Sequence, residues 1–111
     1  MAVQVQVLIP AKIAESTQTT QYTATNVTAI IDKFTATNYD TSARTISVNL
    51  VTALDTAGNN NLIVKTKTLL PSETYTFPEV VGHVLLPGGY ISTIASTGTA
   101  INIRASGRTI S

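Results

Sequence analysis

The chain has 111 residues, enough for one compact domain and too few for two, and carries seven Lys and Arg against six Asp and Glu. So sparse and balanced a charge argues against a nucleic-acid binder driven by counterion release and against a charged disordered tail. The lack of cysteine excludes disulfides, thiolate nucleophiles and Cys-ligated zinc, and no apolar run approaches the roughly 20 residues of a membrane helix.

Met1 is followed by alternating Val and Gln rather than by a basic segment and an apolar block, so neither a signal peptide nor a membrane span is expected. Twenty Thr, 11 Ile and 10 Val make 41 of 111 residues β-branched, and such side chains favour strands. A domain of this size also gains from oligomerisation, because it buries only about two thirds of its unfolded surface.

Residues 2–9 alternate apolar and polar side chains, the pattern of a strand with one covered face. Val3, Val5, Val7 and Ile9 are expected on that face, and Pro10 is expected to end the strand. Residues 11–26 are polar and Thr-rich and read as an arm with a short strand near 20–24. A strand follows from Val27 to about Thr37, where the Ile30-Ile31 doublet implies two covered faces or a bulge. Asn38 to Ser42 has turn chemistry and suggests a hairpin into a strand from Arg44 to Leu54, with Ile46, Val48 and Leu50 inward and Thr45, Ser47 and Asn49 outward.

Asp55 to Asn61 is a longer loop, and Leu62 to Leu69 the return strand, with Lys65 and Lys67 on one face. A short strand at Thr74–Phe77 stops at Pro78, an apolar stretch runs to Leu85, and Pro87-Gly88-Gly89 turns the chain. Two last strands, Tyr90–Ala95 and Ala100–Ser106, flank a hairpin-like turn at residues 96–99. About seven short strands and no convincing helix imply an all-β fold, a single antiparallel β-sandwich with jelly-roll order as one option. The expected division is residues 1–19 as N-terminal strand and arm and 20–111 as the sandwich.

Candidate chemistry is thin. His83 is the sole histidine, and neither Ser92 nor Ser96, with Asp32 or Asp55 as orienting acid, carries the local signature of a nucleophile. Glu73 and Glu79 flank one short strand, too weak a coincidence for glycoside hydrolysis. Asp55 with Asn59, Asn60 and Asn61 offers oxygen ligands but not the EF-hand spacing, and Gly88-Gly89 precedes a strand rather than a phosphate-binding helix. Asn26-Val27-Thr28 matches a glycosylation acceptor, of little weight without an export signal. The expectation is a protein without enzymatic activity, cofactor or metal.

The candidate protein-interaction residues are Val3, Val5, Val7 and Ile9, a charge-free strand of the kind that accepts a partner strand, and Arg104 and Arg108, which with Lys65 and Lys67 suggest a modest basic stripe. The terminal strand is free either to pair within its own sandwich or to join the sheet of a neighbouring subunit.

Three stretches, Leu69-Leu70-Pro71-Ser72-Glu73-Thr74-Tyr75-Thr76-Phe77, Val84-Leu85-Leu86-Pro87-Gly88-Gly89-Tyr90-Ile91-Ser92 and Gly98-Thr99-Ala100-Ile101-Asn102-Ile103-Arg104-Ala105-Ser106-Gly107, resemble small structural proteins of tailed-bacteriophage virions. The block from Thr28 to Leu50 is similar to the same group, so the resemblance covers about residues 20–111. It implies a capsid decoration (cement) protein on the virion surface, a homo-oligomer of the trimeric kind that bridges major capsid protein subunits and touches neither nucleic acid nor membrane. A tail, head-tail connector or fibre component is the alternative it leaves. A carbohydrate-binding β-sandwich is a third reading, weakened by the lack of Trp.

Overall fold

A computed structural model describes residues 2–111 and contains nine strands: β1 (Val3–Ile13), β2 (Thr19–Thr23), β3 (Thr28–Asn38), β4 (Arg44–Val51), β5 (Leu62–Leu69), β6 (Thr74–Tyr75), β7 (Val84–Leu85), β8 (Tyr90–Ala95) and β9 (Ile101–Ile110). They form two antiparallel sheets. The front sheet has the order β1-β9-β3-β6, with β7 also on β3, and the back sheet has the order β2-β8-β4-β5. Strands β6 and β7 pair with opposite ends of β3, Ala36 and Thr37 in one case and Ala29 and Ile30 in the other, so together they act as one interrupted edge strand. With that counted once, the eight-strand order is that of a jelly roll.

The core lies between the sheets. Phe34 and Phe77 meet edge to face at 4.9 Å, surrounded by the fully buried Ile9, Ile31, Ile46, Leu69, Ile91, Ile101 and Ile103. Residues 76–83, which interrupt the edge strand, hold Phe77 and Val80 in this core, and Gly82 N–H donates to the Ile31 carbonyl at 2.7 Å.

Several expectations need correction. Strand β1 does not stop at Pro10 but continues to Ile13, with Pro10 in an irregular stretch where the partner step from Ile9 to Lys12 spans only Ala105 to Ile103. A proline is tolerated there because β1 is an edge strand and the bulge has already given up ladder bonds. A second bulge, between Val7 and Ile9, reverses the inward face: Leu8 and Ile9 are both buried, whereas Val3, Val5 and Val7 point outward. The Ile30-Ile31 doublet is resolved by a bulge too, since Ile31 pairs with Gly107 and Lys33 with Ser106, leaving Asp32 unmatched.

The turns at 38–42 and 96–99 do not close hairpins, because each carries the chain from one sheet to the other. The buried Asn38 holds the first of them, its amide donating to the Ser42 and Leu69 carbonyls at 2.9 Å while its oxygen accepts from Asp40 N–H. The β4–β5 pair is a true hairpin, but Thr66 at φ 45° bulges in it and places Lys65 and Lys67 on different faces. Ser47 and Asn49 point away from the core as expected and are nonetheless buried, Asn49 tied to Gly58 and Asn61 of the following loop.

Candidate interaction surface

The register of the front sheet fixes what its outer face presents. Val5, Arg108, Ile30 and Val84 form one row across β1, β9, β3 and β7, and Val3, Ile110 and Thr28 form the next. Val7, Ser106 and Lys33 lie on the other side of the first row. Val3, Val5, Val7 and Val84 are exposed, Val5 at 88% of its full area. Soluble monomers seldom gather large apolar side chains in this way without a partner. Among the described residues no strand pairs with the outer edge of β1, and residues 3–9 include none of the charged side chains that usually blunt such an edge.

Arg108 sits within this apolar area and is held by Asp32, the residue the β3 bulge leaves over. Its Nε and Nη2 donate to the two carboxylate oxygens at 2.9 and 3.0 Å, and this bond holds the guanidinium pKa above its ordinary value. Arg104 is exposed on the same face beside Thr35. Of the sequence-derived residues, Val3, Val5, Val7, Arg104 and Arg108 thus share one face, while Ile9 is in the core. Lys65 and Lys67 belong to the back sheet, so no four-residue basic stripe forms; Lys67 instead stands 4.5 Å over the Tyr75 ring.

At the end of the sandwich where the two termini lie, the sheets part around an apolar cavity of about 430 Å³. Leu50 and Ile63 of the back sheet line it together with Leu85, Leu86, Pro87 and the exposed His83. Val84 lines it as well and so joins the cavity to the apolar face of the front sheet. Beside the rim, Leu54 is fully exposed at φ 68°. The sequence hides these residues, since a leucine in a turn says nothing of its neighbours. The alternation carries the expected strand on to Leu54, but β4 ends at Val51 and leaves Leu54 in the loop beyond it; of the two, Leu86 alone is a large apolar residue in a stretch read as a turn.

The groups tested for chemistry are dispersed. Ser92 is buried on the outer side of the back sheet, accepting from Gln18 at 2.7 Å and donating to the Thr19 carbonyl, and Ser96 accepts from Thr45 N–H. Glu73 accepts from Leu70 N–H, and Glu79 from the Tyr75 hydroxyl, which holds the carboxyl below its usual range and the phenol above. Asn61 spends its amide organising its own loop, and among the described residues no three His, Cys, Asp or Glu side chains come together. Of the aromatic rings, Phe34 and Phe77 are buried, Tyr75 packs on Phe77, Tyr90 donates to the Asp55 carbonyl, and Tyr39 is the large exposed one. Against protein-family models, curated proteins and solved structures, the chain finds no match.

Proposed function

We propose that the chain is a structural protein of a virus particle of the tailed-bacteriophage kind, a decoration (cement) protein that trimerises on the capsid surface and bridges major capsid protein subunits. The observation that carries this reading is the outer face of the front sheet, where the exposed valines of β1 adjoin an unpaired strand edge and Val84 ends the row that starts at Val5. Such a face loses apolar area to water-excluding contact and its edge offers main-chain groups to a partner strand. Each contact is modest, and symmetry repeats it until the sum resists the pressure of packaged DNA. The sequence resemblance points the same way, and jelly rolls are common in capsid proteins. They are equally common in lectins, but a single exposed ring, Tyr39, stands apart from the buried Phe34 and Phe77 and does not make a platform for sugars.

Particles with and without the protein test the reading. Decorated particles are expected to survive heating and low salt that burst the bare ones, with antibody label spread over the whole head. Label confined to one vertex would move the protein to the tail, connector or fibre, and equal survival would remove the cementing role.

A further inference from the structure

Leu54 and the end cavity make a knob and a hole on the same molecule. A leucine in left-handed backbone geometry is strained, and one that also exposes its whole side chain gains nothing from the fold in return. Yet the loop is held firmly. Asp55 N–H donates to the Thr52 carbonyl at 3.1 Å, Tyr90 Oη donates to the Asp55 carbonyl at 2.9 Å, and Gly88 approaches so close that a Cβ there would lie 2.7 Å from the Ala53 methyl. A rigid, outward leucine is prepared for a partner, because little freedom remains to be lost on docking.

Resting on the reading that the protein self-associates, we propose that Leu54 of one copy seats in the end cavity of a second copy. The cavity has room for the side chain and is lined by Leu50, Ile63 and Leu86. Complementary hydrogen-bonding groups beside knob and hole support this occupant. The exposed carboxylate of Asp55 follows the knob, and the exposed imidazole of His83 stands on the cavity wall, and among the described residues neither belongs to an ion pair. Docking brings them together as acceptor and donor. Because Leu54 adjoins the cavity whose wall includes Ala53, two copies can exchange knobs reciprocally about a two-fold axis, and a one-way contact closes into a ring only when the rotation between copies allows.

The chain lacks cysteine, so an engineered disulfide is unambiguous. Purified L54C and L86C variants are mixed and oxidised, with L54C plus L70C as control, since Leu70 follows β5 at the opposite end of the sandwich. A disulfide needs Cα atoms within about 7 Å, so the first pair is expected to yield a linked dimer and the control pair none. Sedimentation of L54G, which relieves the strained backbone, is expected to show loss of the wild-type assembly with unchanged circular dichroism. An assembled wild type whose L54G variant assembles equally and whose L54C and L86C chains do not link would overturn this contact and leave self-association standing. A wild type that is monomeric at every concentration would overturn both.

Discussion

Gly107 stands in the middle of β9, flanked by β1 and β3, because a side chain there has no room. A Cβ would fall 2.0 Å from the Ile30 carbonyl oxygen and 3.0 Å from Leu8 Cδ1, at the level where β3 bulges. Gly107→Ala must therefore push apart two strands or lose the bulge, and about 3 kcal/mol of stability should go with it, read from urea unfolding. A loss under about 1 kcal/mol would mean that the β3 bulge yields freely. Glu15 sets a second expectation. Lys12 Nζ and Gln21 Nε2 each donate to it at 2.9 Å, the lysine having the larger effect, and together they hold its carboxyl below the usual range. A lowered folded pKa stabilises above the unfolded value, near 4.3, and that contribution disappears as the pH falls through the folded value. The side chain is 39% exposed, so solvent screens the effect to a small one. The urea midpoints of wild type and Glu15→Gln should differ slightly at neutral pH and converge in acid; a constant gap would show that the ion pair has no part in it.

At the scale of the strand, position and connection differ in how much the sequence reveals. The strand at Arg44–Val51 and its return at Leu62–Leu69 could be read because alternation and turn chemistry agree on both sides. The turn at 38–42 has equally good hairpin chemistry, yet Asn38 spends it on a crossing between sheets, and nothing local distinguishes the two uses. Bulges have the larger consequence for the candidate surface. A shift of one residue exchanges the faces of a strand, so the slip between Val7 and Ile9 turned an expected core face outward. Val3, Val5 and Val7 thus emerge as a set from their spacing, while their exposure depends on pairing with β9, 99 to 107 residues away in the chain. Ile30 and Val84 complete the patch only through register, and the end cavity exists only where two sheets part.

For the molecule as a whole, the decisive feature is that the first and last strands are neighbours. Ala2 and Ser111 exchange backbone hydrogen bonds at 3.2 and 3.0 Å, and β1 pairs with β9 over most of its length. A segment 1–19 separable from a body 20–111 would have to leave without disturbing the core, but Leu8, Ile9 and Ala14 are all buried in it. Burying Leu8 and Ile9 stabilises by about 2 kcal/mol each, and the β1 ladder adds roughly 1 kcal/mol for each main-chain bond. Set against a net stability of about 5–15 kcal/mol for a domain, that loss is enough to unfold the chain. Deleting residues 1–13 should accordingly give a protein with collapsed NMR dispersion, whereas Val5→Lys, on the outer face, should keep the native spectrum. Loss of particle binding by the deletion would then say nothing about a docking arm, and loss by Val5→Lys would. A deletion variant with a dispersed, cooperative native state would mean that β9 tolerates life at the sheet edge and that β1 is an appendage after all.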